Sequence, residues 1–225
     1  MELFPTQAVE ISFDKHNIRL AMRRHMTSAD IKLVRKRTHD IIYRPPSSED
    51  GADVWRLIQS CEPLDENSLY CNLLQCDHFG DTCVAAERAD DGALVGWVSG
   101  YLLPDEPETL FVWQVAVDSS VQGMGVGKKL LAALLERDAC ENVRTLKTTI
   151  TSDNKASWGL FSSLARVRDG ELDHEPYFRK DAHFDGKHAT EHMVTIAFAG
   201  RTPADVRQRW FPALDAGPAR SDDAA

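Results

Sequence analysis

The sequence lacks several features that define other protein classes. No stretch of its 225 residues approaches the roughly 18 consecutive apolar residues of a membrane-spanning helix. The first residues contain no apolar segment followed by a small-residue cleavage site, so we expect a cytoplasmic protein without a membrane partner. The five cysteines include no Cys-x-x-Cys pair, which argues against structural zinc and favours reduced thiols.

Basic residues are fewer than acidic residues in this sequence. The chain has 26 Lys and Arg against 35 Asp and Glu, a formal net charge of −9. Because binding to a phosphate backbone needs a basic face, we expect no nucleic-acid partner. The deficit lies in residues 41–200, which carry 14 basic and 26 acidic residues, a net charge of −12. A segment this acidic attracts cations, including cationic small molecules.

The pattern of apolar residues predicts one α+β domain with a central mixed sheet over residues 41–200. Strands are expected at 41–44, 82–88, 94–103, 110–117, 143–151 and 193–199. Helices are expected to begin at Ser47 and to cover 125–139 and 153–164, the last capped by Asp153. The charged stretch 166–190 is predicted to be a long loop. We expect residues 1–40 to form a flexible N-terminal extension, and residues 201–225 a short helix and a disordered tail.

A glycine-rich turn joins the most apolar strand to a leucine-rich helix. Gln122, Gly123, Gly125 and Gly127 lie in this turn, and Lys128 follows. The backbone N–H groups of such a turn and of the helix N-terminus form a site for a pyrophosphate. It is not a Walker A loop, because Lys128 is followed by Lys rather than by Ser or Thr. The glycine spacing also differs from the Rossmann pattern.

The Gln-x-x-Gly-x-Gly pattern of this turn resembles the pyrophosphate turn of the GCN5-related N-acetyltransferases, which bind acetyl-coenzyme A. The later run Asn154-Lys155-Ala156-Ser157 also fits that family. The resemblance implies a mostly antiparallel sheet flanked by helices, in which strand 113–117 splays away from strand 145–149. It implies acetyl-coenzyme A as co-substrate, no metal, and cofactor contacts from these residues: Val115, Val117, Gln122, Gly123, Met124, Gly125, Val126, Gly127, Lys128, Asn154, Ser157 and Trp158.

The sequence departs from that family at one position. Many members carry a Tyr that protonates the departing thiolate, and Phe161 stands at the matching place. Phe161 has no hydroxyl, so either another group protonates the sulfur or the thiolate leaves unassisted.

Four segments, 61–79, 111–117, 151–157 and 181–192, resemble the diaminobutyrate acetyltransferases of ectoine biosynthesis. That family acetylates the γ-amine of L-2,4-diaminobutyrate, and it suggests a homodimer. The resemblance implies that acidic side chains hold the ammonium groups of this small diamino acid and that His188, Glu191 and Glu66 are catalytic. The implied substrate-binding residues are Asp65, Glu66, Asn67, Tyr70, Trp113, His188 and Glu191.

Other interpretations stay open at this point. In a second hypothesis, the acceptor is another amine, such as a polyamine or a protein N-terminus. In a third, the chain is a non-catalytic coenzyme A-binding regulator.

The run from His188 to His192 is a literal H-x-x-E-H, the zinc pattern of the inverzincins. That pattern needs a helix, whereas an apolar strand is expected from Met193, so we expect no zinc.

Overall fold

The computed structural model describes residues 40–62 and 64–198. The expected N-terminal extension and the expected C-terminal helix and tail lie outside these residues. The strands of the described part are β1 Ile41–Arg44, β2 Cys83–Arg88, β3 Leu94–Leu103, β4 Glu106–Val117, β5 Thr145–Thr151, β6 Glu171–Phe178 and β7 Glu191–Ala197. Its α-helices are α1 Gly51–Gln59, α2 Leu69–His78, α3 Val126–Leu135, α4 Lys155–Val167 and α5 Lys180–His183.

The strands form one sheet in the order β1-β2-β3-β4-β5-β7-β6. Neighbouring strands are antiparallel except β4 and β5, which are parallel. This confirms the expected mixed, mostly antiparallel sheet with flanking helices. None of the helices in the described ranges has the length and hydrophobicity to cross a bilayer.

The sheet is covered on both faces by apolar helix surfaces. On one face, Leu130 and Leu134 of α3 pack with Phe161 of α4 in the larger buried cluster. On the other face, Val54 and Ile58 of α1 pack in a second cluster that includes the fully buried Trp97 and Ala116. The apolar residues of α1 and α3 therefore cover the two faces of the sheet.

Several predicted boundaries were wrong. The segment 166–190 is not a long loop, because it contains β6 and α5. β6 is an edge strand with almost every residue exposed, so it has no alternation of apolar and polar residues. β4 begins at Glu106 rather than at residue 110, and α3 ends at Leu135 rather than at 139.

The cap of α4 was also misassigned. Asn154, not Asp153, is the N-cap residue, and its Oδ1 accepts a hydrogen bond from the backbone N–H of Ser157 at 3.0 Å. An Asn in this position satisfies one of the free N–H groups of the first helical turn.

β4 and β5 separate after a short stretch of pairing. Only residues 109–111 of β4 pair with residues 145–147 of β5, although β4 continues to Val117 and β5 to Thr151. This confirms the expected splay. The separation opens a gap in the middle of the sheet, which an unbroken parallel ladder would close.

We expect Leu130→Ala to destabilise the fold strongly. Leu130 is 0% exposed in the larger cluster, so the truncation leaves a cavity and costs about 2–5 kcal/mol. For a domain of this size, the melting temperature should fall by about 5–15 °C in a thermal unfolding experiment. The neighbouring variant Lys129→Ala changes an exposed residue of the same helix and should leave it nearly unchanged.

Candidate active site

A cavity of about 580 Å³, called the larger cavity below, lies beside the glycine-rich turn at the end of β4. The turn and α3 form one wall, α4 forms another, and the segment after α1 closes the third side. Its lining residues are Cys61, Glu62, Leu64, Val115, Val117, Val121, Gln122, Gly123, Gly125, Val126, Gly127, Lys128, Asn154, Ala156, Ser157, Gly159 and Leu160.

Two glycines of the turn adopt a conformation that other residues rarely adopt. Gly123 and Gly125 have φ angles of +77° and +76°. Gly125 is also the N-cap of α3 and has no side chain to bond the first N–H groups of that helix. These N–H groups and the positive end of the helix dipole suit a phosphate group.

The backbone N–H groups of Val115 and Val117 point into the gap between β4 and β5. Asp118 N donates to Val95 O of the neighbouring strand at 2.9 Å. Because hydrogen bonding alternates along an antiparallel pair, residues 116 and 114 also face β3, whereas Val115 and Val117 face the opposite edge. The Val117 carbonyl supports this, since it accepts from Cys61 Sγ at 3.5 Å and Gln122 Nε2 at 3.4 Å.

A second cavity of about 300 Å³, called the smaller cavity below, occupies the gap itself. Leu64, Val115, Asn154 and Ser157 line both cavities, so the two lie side by side. The smaller cavity is lined by Leu64, Asp65, Val112, Trp113, Gln114, Val115, Thr148, Thr149, Ile150, Thr151, Asp153, Asn154, Ser157, Phe161, His188, Ala189 and Glu191.

Two carboxylates and one imidazole meet in the smaller cavity. His188 Nε2 lies 3.6 Å from Asp65 Oδ2 and 3.9 Å from Glu191 Oε1. The Glu191 side chain is 16% exposed, against 79% for Asp65. Burial raises the pKa of Glu191, and the charge of Asp65 adds to this. The charges of His188 and His192 and a hydrogen bond with Thr149 lower the pKa in part.

Glu191 also keeps one oxygen free. Its Oε2 is buried and has no hydrogen-bond partner within residues 40–62 and 64–198. A buried, unpartnered carboxylate oxygen is costly unless a donor fills the place. An ammonium group, with three N–H donors, suits this position.

Not all of the predicted substrate residues reach the smaller cavity. Asp65, Trp113, His188 and Glu191 line it. Glu66 does not, because its carboxylate lies against Gln59 Nε2 at 3.2 Å. Tyr70, with 69% of its surface exposed, and Asn67 also lie outside the lining.

Most of the predicted cofactor residues line the larger cavity, but two do not. Met124 is exposed on the outside of the turn. The Trp158 ring packs edge-on against His174, with 5.1 Å between ring centroids, and its Nε1 donates to Thr151 O at 3.0 Å. Phe161 lines the smaller cavity, so the family's Tyr position does face the gap but carries no hydroxyl here.

Gln114 was missed as a site residue. It is 7% exposed, and both ends of its amide bond the segment that carries Asp65. The signal was visible, because Gln114 is the one polar residue in the otherwise apolar run from Phe111 to Val117.

The H-x-x-E-H run has a different conformation from the zinc pattern. His188 lies in the segment before β7, and Glu191 begins that strand. The described residues contain no group of three His, Cys, Asp or Glu arranged to hold a metal ion.

The cysteines of the described part are free thiols. Burial raises the pKa of Cys76 and Cys83 to about 12 and that of Cys140 to about 11. These thiols stay protonated near neutral pH, so they do not act as nucleophiles.

The chain shows clear similarity to known proteins. The model of the acetyltransferase (GNAT) family matches residues 51–165. The L-2,4-diaminobutyric acid acetyltransferase of Methylotuvimicrobium alcaliphilum is 48% identical over 151 residues, 67% of this chain and 87% of the relative. The chain therefore belongs to the diaminobutyrate acetyltransferases of the GNAT family.

Other diaminobutyrate acetyltransferases agree with this assignment. The enzyme of Vibrio parahaemolyticus is 43% identical over 155 residues, 69% of this chain and 84% of the relative. The diaminobutyrate acetyltransferase EctA of Paenibacillus lautus, solved with its substrate L-2,4-diaminobutyric acid and coenzyme A, has a TM-score of 0.67 and 39% identity. That alignment covers 70% of this chain and 95% of EctA. It also confirms the expected GNAT fold.

We expect Glu191→Gln to stabilise the protein near neutral pH. A carboxyl whose pKa is raised on folding binds its proton more tightly in the folded state, so stability is lost as the pH rises from the unfolded pKa through the folded one. The melting temperature of the variant should exceed that of the wild type at about pH 7, and this gain should shrink toward about pH 4.

Glu171→Gln is the matched control, because it changes an exposed carboxylate on β6. It should leave the melting temperature nearly the same at both pH values. A Glu191→Gln variant that is less stable than the wild type at neutral pH would show that the buried carboxylate already has a compensating partner.

Proposed function

We propose that this chain transfers the acetyl group of acetyl-coenzyme A to the γ-amine of L-2,4-diaminobutyrate. The observation that carries the proposal is that the two cavities lie side by side at the gap between β4 and β5, with four residues lining both. One cavity has the features of a pyrophosphate and pantetheine site, and the other is acidic. A thioester entering from the first reaches an ammonium compound held in the second.

The larger cavity fits coenzyme A. The N–H groups at the start of α3 and the turn of Gly123 and Gly125 receive the pyrophosphate, and Lys128 adds positive charge. The inward N–H groups of Val115 and Val117 bond the pantetheine amide and the thioester carbonyl. A donor already fixed at that carbonyl stabilises the oxyanion that forms when an amine attacks.

The smaller cavity fits a diamino acid. Diaminobutyrate carries two ammonium groups, and Asp65 and Glu191 supply two carboxylates, both within 4 Å of His188 Nε2. Trp113 forms an apolar wall beside the short carbon chain. The proposal does not use Glu66, Asn67 or Tyr70 as direct contacts, and the role of Glu66 as a catalytic residue stays a prediction.

Glu191 and His188 remove the proton that the attacking amine must lose. The raised pKa of Glu191 makes its carboxylate a stronger base than an ordinary Glu. The neutral amine forms the new bond to the acetyl carbon, and the nitrogen then loses a second proton to solvent. The carbon–sulfur bond breaks, and the coenzyme A thiolate leaves. Because Phe161 offers no proton, the thiolate departs unassisted and takes its proton from solvent afterwards.

We further propose the cellular setting from the family resemblance. The acetyltransferase domain covers residues 41–200, the enzyme acts in the cytoplasm in ectoine biosynthesis, and it works as a homodimer. Sedimentation analysis of the purified chain tests the last point, with a mass of about twice 25.2 kDa expected.

The proposal is tested by thiol release from acetyl-coenzyme A with a panel of amines. Diaminobutyrate should give the highest kcat/KM, and ornithine, lysine and spermidine should be poorer because their amines are further apart. Nuclear magnetic resonance of the product should show the acetyl group on the γ-nitrogen. Preference for spermidine would favour a polyamine acetyltransferase, and no release with any amine would favour a coenzyme A-binding regulator.

We expect Gly125→Trp to abolish binding of coenzyme A. The substitution puts a side chain into the phosphate turn at a position with φ +76°, where only glycine is relaxed. Titration calorimetry with coenzyme A should show at least about a hundredfold loss of affinity. Met124→Ala is the control, because its side chain lies outside the larger cavity, and it should bind coenzyme A as the wild type does.

A further inference from the structure

Gln114 connects β4 by hydrogen bonds to the segment that carries Asp65. Its Nε2 donates to the backbone carbonyl of Asp65 at 2.7 Å, and its Oε1 accepts from Asn67 Nδ2 at 2.7 Å. Both bonds span more than 45 residues of sequence, and the Gln114 side chain is buried. A buried amide with both ends engaged fixes two points of the segment between α1 and α2 on the rigid sheet.

A β-bulge turns Gln114 toward that segment. Ser99 of β3 pairs with Gln114, whereas Gly100 pairs with Val112, so Trp113 is an extra residue in β4. Before the bulge, Val112 faces the cluster under α3 and α4, and after it, Ala116 faces the cluster under α1. The extra residue therefore inverts the alternation, and Gln114 points to the face where the segment 64–68 lies.

The segment 64–68 needs such an anchor. It contains no helix or strand, yet it places the exposed carboxylate of Asp65 at 3.6 Å from His188 Nε2. The bond from Gln114 reaches the main chain of Asp65 itself, and the second bond reaches the residue two positions further on. The position of the Asp65 carboxylate over the smaller cavity thus depends on an amide that belongs to β4.

We propose that Gln114 is a positioning residue for diaminobutyrate, which acts by holding Asp65 in place to receive an ammonium group. This inference rests on the proposed function. Gln114 follows Trp113 and precedes Val115, so three consecutive residues of β4 supply the wall of the smaller cavity, the anchor of the acidic segment and the donor to the thioester. The bulge thereby fixes the distance between the acceptor amine and the acetyl group.

The expected signature is a change in the KM for diaminobutyrate without a change in the KM for acetyl-coenzyme A. Gln114→Leu keeps the size of the side chain and removes both hydrogen bonds, so the KM for diaminobutyrate should rise about tenfold to thirtyfold. Asn67→Ala removes only one of the bonds and should raise it about threefold. The KM for acetyl-coenzyme A should stay within about twofold in both variants.

The variant Asp65→Ala distinguishes positioning from a general weakening of the fold. If Gln114 acts through Asp65, Gln114→Leu should change the KM for diaminobutyrate by less than about twofold when Asp65 is already Ala. Effects that multiply in the double variant would overturn the proposal, and so would an unchanged KM in Gln114→Leu alone. Should Gln114→Leu fail to fold, Asn67→Ala with and without Asp65→Ala decides the question in the same way.

Ser99→Ala is the matched control for a change inside the sheet. Ser99 is 1% exposed, faces Gln114 across the strands and makes no hydrogen bond to the segment 64–68 among the described residues. It should leave the KM for diaminobutyrate unchanged. Titration calorimetry with diaminobutyrate gives the same comparison without turnover, so a wild type that binds the diamino acid but releases no thiol would contradict the proposed function and still test Gln114.

Discussion

The separation of β4 from β5 is the constraint on which the rest of the site depends. Pairing ends at Phe111 and Lys147, and beyond this point the inner edge of β4 has no strand to bond. The inward N–H groups of Val115 and Val117 are therefore available to a ligand. The same gap places the smaller cavity next to the larger one, so a single break in the ladder provides both the thioester site and room for the acceptor beside it.

The free site holds two neighbouring carboxylates whose repulsion is relieved when a cationic ligand binds. Glu191 is mostly buried at the start of β7 and has one oxygen without a partner among the described residues, and Asp65 lies near the same nitrogen of His188. Both carboxylates are tolerated because the expected ligand is cationic at two points. Most of the negative charge of the sequence lies on the surface. Only Asp65 and Glu191 use negative charge to select a substrate.

Local signals predicted the parts of the fold and site that local forces determine. The apolar strand, the glycines at positive φ and the leucine face of α3 could be predicted because each follows from its own neighbours. The edge strand β6 could not, since its residues are exposed and its partner is distant. Ser157 and Trp158 were both assigned to the cofactor, but only Ser157 lines the larger cavity. Neighbours on a helix point about 100° apart, so the two side chains cannot face the same cavity equally. The direction of Glu66 depends on the path of the segment 64–68, which is bonded to the distant Gln114, so no local pattern predicts it.

The most direct measurement is a crystal structure of this chain with coenzyme A and diaminobutyrate bound together. We expect the sulfur in the gap beside Val115 and Ser157, with the γ-nitrogen facing it and contacting Glu191. We expect the other ammonium group beside Asp65. A diaminobutyrate molecule bound outside the smaller cavity, or bound with its α-nitrogen toward the sulfur, would contradict the proposed mechanism.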